Sequence, residues 1–278
     1  MKSRRFIQCD VFSPIPTQGN GLAVVVDGEG LSDQQMQAFA AWTNLAETTF
    51  ILPPEDPQAD YRLRIFTTTR EMLFAGHPTL GSCKAWLHAG GKPRHENRVR
   101  QECGIGIVEI DVSEQQFAFV APPTKIHDMP DGVLKEITEV LKIPTDAVLH
   151  SAILDNGPVW QVLQLESAEQ VLAVDSSLVS WPEHKPVGLI GAHDADNDCD
   201  YEVRMLAPSS GMSEDPITGS LNAALAHWMV VEGWLDDVIT VAQGTKINRY
   251  GRVTIYPHGD KIYIAGDTHI IIDGQVTL

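Results

Sequence analysis

Two stretches decide the fold of this chain: FAGHPTLGSCKAW, residues 74–86, and SEDPITGSLNAALAHW, residues 213–228. Each joins a turn rich in Gly, Pro, Ser and Thr to an apolar helical run. The first turn carries His77 and the second carries Asp215, each directly before a proline. This repetition predicts two similar halves, each built around one helix, with the two turns forming two walls of one site.

Length, composition and charge exclude several classes of protein. The 278 residues are enough for two modest domains, and 43% hydrophobic with 21% charged residues is typical of a globular protein. The net charge of -17 argues against nucleic acid as a partner, because phosphates would be repelled. A small anionic substrate is still compatible with that charge, since a local cluster of backbone N–H groups can bind an anion.

The sequence predicts a cytoplasmic protein with no membrane partner, because it contains neither a signal-like segment nor an apolar run of membrane-spanning length. Cys9, Cys83, Cys103 and Cys199 are far apart and form no C-x-x-C pair. We therefore expect free thiols, and neither a metal site nor disulfides.

Three helices stand out among the short strands. Ser32 and Gln35 fit a capping box at the start of the first helix. The second helix is expected over 82–89, where two glycines end it, and the third over 220–232. The third is apolar nearly all round, which predicts burial on every side.

The strands and helices predict an α+β fold of two pseudo-symmetric lobes, each a curled, mostly antiparallel sheet around a central helix. Residues 121–132 are rich in Pro and turn formers and mark the boundary. We expect one lobe over 1–122, completed by the strand at 268–278, and a second over 128–267. A Rossmann sheet is excluded because no G-x-G-x-x-G loop follows the first strand.

The two turns have a chemical interpretation and a structural one. The first N–H groups of a helix are unpaired and lie at the positive end of its dipole, and Gly81 or Gly219 would let a ligand approach them closely. Two such helix ends could hold a carboxylate or a developing enolate. In the structural interpretation, Thr218 and Ser220 are only helix caps.

The titratable residues near these turns also have two interpretations each. Glu47, in NLAETTF, enters an apolar strand, where burial raises the pKa of a carboxyl group toward the range of a general base. His77 taken alone is typical of a buried structural histidine. Asp215 taken alone fits a first-turn helix acid, and its neighbour Glu214 fits a solvated or capping group.

Four segments resemble the PhzF-like phenazine-biosynthesis proteins, in order over essentially the whole chain: GNGLAVVVD (19–27), NLAETTFI (44–51), FAGHPTLGS (74–82) and GMSEDPITGS (211–220). The resemblance implies a diaminopimelate-epimerase-like fold with the active site between two lobes. It also implies that no metal or organic cofactor is used and that the protein is a homodimer.

The same resemblance assigns roles to individual residues. Glu47 corresponds to the catalytic acid/base, and His77, Asp215 and Ser220 to polar residues around the substrate. The residues expected to help bind the substrate are Asn20, Gly76, Gly81, Thr218 and Gly219. The implied activity is isomerisation of trans-2,3-dihydro-3-hydroxyanthranilate by moving a proton between carbons.

Two other functions remain open at this point. An amino-acid racemase or epimerase of the same fold would use two opposed thiols, but Cys83 lies inside the predicted helix rather than in the turn. A non-catalytic binding protein could also retain the fold. The set of Glu47, His77, Asp215 and Ser220 favours the isomerase.

Overall fold

The computed structural model describes residues 1–178, 185–207 and 213–278 and forms two compact units. The first comprises Met1–Val120 and Tyr263–Leu278, and the second comprises Ala121–Ile262. The chain thus returns to the first unit at Tyr263, five residues before the expected 268. Residues 211 and 212 of the GMSEDPITGS segment lie outside the described residues.

Strands and α-helices are interspersed along the described residues. The elements up to Val120 are β1 (Ser3–Val11), β2 (Asn20–Val25), α1 (Asp33–Thr43), β3 (Glu47–Leu52), β4 (Tyr61–Phe66), β5 (Glu71–Met72), α2 (Gly76–His88), β6 (Arg98–Cys103), β7 (Gly106–Asp111) and β8 (Phe117–Val120). Those that follow are β9 (Lys125–Asp128), α3 (Asp131–Leu141), β10 (Val148–Asp155), β11 (Val159–Leu165), α4 (Ala168–Ala173), β12 (Val187–Ala192), β13 (Tyr201–Leu206), β14 (Glu214–Asp215), α5 (Gly219–Glu232), β15 (Ile239–Gln243) and β16 (Gly251–His258). The chain ends with β17 (Lys261–Gly266) and β18 (Thr268–Thr277).

In the first unit, the sheet runs β18-β1-β2-β3-β4-β6-β7-β8-β17. Its pairs are antiparallel except β2–β3 and β4–β6, which are parallel. Parallel neighbours need a crossover, and α1 and α2 supply these two. Helix α2 contacts β1, β2, β3, β6, β8 and β18, so the sheet surrounds it as expected.

The second unit repeats this order of pairings. Its sheet runs β9-β10-β11-β12-β13-β15-β16, with β11–β12 and β13–β15 parallel and the other pairs antiparallel. Helices α4 and α5 make the two crossovers. A two-residue strand precedes the central helix in each unit, β5 before α2 and β14 before α5. The expected α+β fold with two similar halves is confirmed.

Helix α2 begins six residues earlier than predicted, at Gly76 instead of Ser82. The sequence predicts that Pro78 belongs to a turn, but Pro78 is the third residue of α2. Proline is tolerated there because a first-turn N–H has no partner within the helix. His77 is therefore in the first turn of the helix, and Gly81 is in the second.

The local helix signals gave correct boundaries elsewhere. Ser32 caps α1, with the Gln35 N–H donating to its Oγ at 3.3 Å and the Gln35 side chain accepting from the Ser32 N–H at 2.9 Å. Helix α5 ends at Gly233, whose φ of 77° favours glycine. The first eight residues of α5 are all buried, as its apolar sequence predicted.

Each unit has a core on the outer side of its sheet. In the first, α1 packs Met36 and Phe39 against Phe50 and Phe66. In the second, α3 and α4 cover β11 and β12 with a cluster formed by Ile137, Leu141, Leu163, Val171, Val187 and Leu189. Within the described ranges, no helix is both long and apolar enough to cross a membrane.

Candidate active site

Glu47 is the first residue of β3 in the first unit. The chain reaches it from α1 through Asn44, whose φ of 55° ends that helix. Leu22 of β2 is its partner in the parallel pair, and the strand residues after it are buried. The Glu47 side chain is 17% exposed, so a substrate can reach a carboxylate that the strand holds in place.

His77, the second residue of α2, lies beside Glu47. Its Nε2 is 3.3 Å from Glu47 Oε2, which is an ion-pair distance, but the ring is not aligned for a hydrogen bond. Burial lowers the pKa of His77 to about 3. The contact at neutral pH therefore joins an uncharged imidazole to a carboxyl group.

Asn20 contacts the other ring nitrogen of His77. Its Nδ2 lies 3.3 Å from His77 Nδ1, and its side chain is buried. Asn20, His77 and Glu47 thus form a row of three side chains, brought together from β2, α2 and β3. All three are site residues predicted from the sequence, but only the structure brings them into contact.

In the second unit, Asp215 is held in the short strand β14, opposite Met205. Its carboxylate accepts a hydrogen bond of 2.5 Å from Thr218 Oγ1, and both residues are buried. The hydroxyl of Thr218 is thus committed to Asp215, so the hydrogen bond joins the strand to the start of α5.

Gln243, at the end of β15, organises the turn between β14 and α5. Its amide oxygen accepts from the Thr218 N–H at 3.1 Å and from Asn222 Nδ2 at 3.0 Å. Its amide nitrogen donates to Thr218 Oγ1 at 3.0 Å and to the Asp215 carbonyl at 3.4 Å. Gln243 is part of the sequence resemblance to the PhzF-like proteins, but no role was predicted for it, because its partners lie 21 to 28 positions away.

The first two residues of the central helices correspond between the units: Gly76 and His77 in α2, Gly219 and Ser220 in α5. Ser220 is therefore the counterpart of His77. By the same register, Asp215 corresponds to Met72, since these residues pair at equivalent places in the two sheets. The predicted equivalence of His77 and Asp215 is wrong, because the shared proline and Gly-Ser step align the two turns in a register that the helices do not follow.

Gly81 has a packing role that its sequence context did not reveal. A Cβ at this position would lie 2.6 Å from Leu22 Cδ2 and 3.0 Å from Val11 Cγ2. Glycine is favoured there because α2 approaches the side chains of β1 and β2 closely. Gly76 and Gly219, by contrast, are at the helix ends, where N–H groups have no intrahelical partner.

Glu214 was expected to be a solvated or capping group, but it is neither. Its carboxylate receives two hydrogen bonds from Arg204, at 3.0 and 2.7 Å, and both side chains are fully buried. The first unit has the equivalent pair Arg64–Glu71, also two-armed but partly exposed. The matching Arg and Glu in the two halves were the signal that could have revealed this pair.

Among the described residues, no group of three or more His, Cys, Asp or Glu side chains is placed to hold a metal ion.

Several curated proteins match the chain over nearly its full length. Antisense-enhancing sequence 1 of Schizosaccharomyces pombe is 33% identical, and the alignment covers 99% of both chains. The trans-2,3-dihydro-3-hydroxyanthranilate isomerase of Pseudomonas aeruginosa is 31% identical, again with 99% of both chains covered.

Solved structures share the fold. The phenazine biosynthesis protein, PhzF family, of Bacillus anthracis has a TM-score of 0.84 at 23% identity, over the whole of both chains. A hydroxyproline epimerase of Agrobacterium vitis has a TM-score of 0.67 at 13% identity, covering 99% of this chain and 92% of its own.

The fold and the named relatives together define an enzyme of the isomerase class, built on an epimerase-like α+β scaffold. The chain belongs to the phenazine biosynthesis-like protein family, PhzC-PhzF, whose match spans residues 9–274.

Proposed function

We propose that this isomerase moves a proton between two carbon atoms of a small carboxylate substrate without a cofactor, with Glu47 as both acid and base. The observation that supports this proposal most directly is the distance of 3.3 Å between Glu47 Oε2 and Nε2 of the buried His77. A histidine with a pKa of about 3 does not accept protons at neutral pH, so Glu47 is the proton acceptor of the pair.

The reaction needs one carboxylate only. Glu47 removes a proton from one carbon, and the electron pair left behind is delocalised into the conjugated acid of the substrate. The protonated Glu47 then returns the proton to another carbon, which regenerates the enzyme. His77 Nε2 is buried and makes no aligned hydrogen bond. We assign its N–H as a donor to the negative charge that develops next to Glu47.

The second unit holds the other residues that the resemblance to the PhzF-like proteins associates with the substrate, and we propose a binding role for them. Asp215 and Ser220 supply polar side chains, and the first N–H groups of α5 favour an anionic group. Supporting this role, Gln243 and Thr218 fix the turn that carries Asp215, and Asn156 Nδ2 donates to the Ser220 carbonyl at 2.8 Å. Fixed polar groups of this kind need no rearrangement when charge develops.

The proposed substrate is trans-2,3-dihydro-3-hydroxyanthranilate. Support comes from the Pseudomonas aeruginosa relative named for that isomerisation, which matches the chain from end to end. A carboxylated, conjugated ring also suits a site that combines the N-terminus of α2 with one acid/base carboxylate.

Turnover of this substrate, followed by ultraviolet absorbance, tests the proposal with wild type and Glu47→Gln. We expect wild-type activity and a loss of kcat of about 10²- to 10⁴-fold in the variant, the usual range for a general acid/base. Glu114→Gln, at an exposed position, is the matched control and should keep full activity. Full activity in Glu47→Gln would eliminate Glu47 as the base.

The racemase alternative requires reactive thiols, and the cysteines nearest the site do not supply them. Burial raises the pKa of Cys83, inside α2, far above its ordinary value, and that of Cys9 to about 12. A binding protein without activity would instead be stabilised by hydroxyanthranilate-like acids in a thermal-shift assay while showing no turnover.

A further inference from the structure

Asn20 is predicted to help bind substrate, and its side-chain Nδ2 contacts the ring of His77. The residue is 2% exposed, and its Nδ2 lies 3.3 Å from His77 Nδ1. His77 Nε2, on the opposite side of the ring, is the atom that approaches Glu47. The contact between Asn20 and His77 therefore lies away from the reacting carboxylate.

We propose that Asn20 is a positioning residue that holds His77 in the tautomer with its proton on Nε2. An amide NH₂ group only donates hydrogen bonds, so the Nδ1 atom that receives its bond carries no proton. A neutral imidazole has one N–H, which must then be on Nε2. Burial keeps the ring neutral, since it lowers the pKa of His77 to about 3.

This arrangement separates the roles of the two titratable side chains, in a way that rests on the proposed function. With the proton on Nε2, the ring can only donate on the side of Glu47 and the substrate. Glu47 therefore takes and returns the carbon-bound proton, while the Nε2 proton stays on His77 throughout. In the opposite tautomer, a bare Nε2 would face the developing negative charge, and the two would repel each other.

The backbone around Asn20 is fixed strongly enough for this purpose. Asn20 begins β2 and pairs with Val11 of β1. The preceding Gly19 donates its N–H to Asp10 Oδ2 at 2.9 Å. A Cβ on Gly19 would lie 2.3 Å from the Val11 carbonyl oxygen, so glycine is needed at this close approach.

The tautomer can be read directly from ¹⁵N NMR of the full-length protein labelled at histidine nitrogen, at neutral pH and without substrate. His77→Gln identifies the His77 signals. Wild type should show Nε2 protonated and Nδ1 unprotonated. A wild-type ring protonated on Nδ1 would overturn the proposal.

Asn20→Asp tests the proposal most directly. The aspartate side chain has nearly the same shape as asparagine, but its carboxylate can only accept a hydrogen bond from His77 Nδ1. We expect the proton to move to Nδ1, or the ring to become doubly protonated. Asn97→Asp, at an exposed position of the same unit, should leave the His77 signals unchanged. His77 retaining the Nε2–H form in Asn20→Asp would refute a role for Asn20.

Asn20→Ala provides a second measurement, since Asn20→Asp also introduces charge at a buried position. Loss of the donor should give a mixture of the two tautomers, and an unchanged single tautomer would count against the proposal. With turnover established, Asn20→Asp should lower kcat by up to about 10⁴-fold, the loss found when a catalytic histidine is held in the wrong tautomer. The NMR signals do not depend on turnover, so failure of the proposed reaction is distinguishable from failure of this inference.

Discussion

Arg204 and Glu214 form a buried, two-armed ion pair that fixes the strand carrying Asp215. Nε and Nη2 of Arg204 donate to the two carboxylate oxygens, and Nη1 donates to the carbonyls of Val171 and Val174 at the end of α4. The C-terminal end of a helix carries a partial negative charge, which stabilises the Arg204 cation. The pair therefore connects α4, β13 and β14, next to a proposed substrate-binding residue.

Replacing one partner of this pair should be strongly destabilising. Arg204→Met leaves the Glu214 carboxylate buried without its cation, so we expect a loss of about 3–5 kcal/mol in the free energy of unfolding. Chemical denaturation measures it. Arg64→Met breaks the equivalent but partly exposed pair and should cost about 1 kcal/mol or less. Equal losses in the two variants would contradict the difference in burial.

The buried His77 should make stability depend on pH. Its native pKa of about 3 is below the ordinary 6.5, so the unfolded chain binds a proton at a higher pH than the folded one. The stability that this shift contributes is complete above about pH 6.5 and is lost as the pH falls toward 3.

His77→Gln should remove that dependence. The free energy of unfolding of wild type, relative to the variant, should fall by several kcal/mol, up to about 5, between pH 7 and pH 3. Denaturation curves at a series of pH values measure the difference. His95→Gln, at an exposed position, should follow wild type at every pH. A constant difference between wild type and His77→Gln would show that His77 does not titrate as stated.

Gln243→Glu tests the organisation of the turn that carries Asp215. The substitution replaces the two donor contacts of the amide nitrogen with an acceptor that faces Thr218 Oγ1 and the Asp215 carbonyl. We expect a loss of about 1–3 kcal/mol in stability and a fall in kcat/KM. The exposed Gln115→Glu is the matched control and should change neither quantity.

Gly81→Ala distinguishes packing from substrate binding at this position. The added methyl group would collide with Leu22 and Val11, which should cost about 1–3 kcal/mol in stability. Gly132→Ala, in α3 with open space around the Cβ, should gain up to about 1 kcal/mol. A Gly81→Ala protein of unchanged stability but raised KM would restore the expected contact with substrate.

The sequence predicted the features that depend on local interactions and on pattern. The capping box at Ser32, the end of α5 at Gly233 and the burial of α5 all follow from residues within a few positions of one another. Strand β6 has a weak sequence signal, because charged residues flank Val99 and Gln101 in place of an apolar run. Residues 125–128 were taken as part of the boundary but form β9 by pairing with β10.

The sequence by itself thus determined the fold class and indicated Glu47, His77 and Asp215 as candidate site residues. Turn residues and the periodicity of hydrophobic residues are local features, so they can be recognised in short stretches of the chain. Only the tertiary structure decided that His77 corresponds to Ser220, that Glu214 is buried against Arg204, and that Asn20 faces the ring of His77. Each of these depends on which strands and helices pack together. The packing of strands and helices depends on the free energy of the whole core, so it cannot be predicted from any short stretch of the chain.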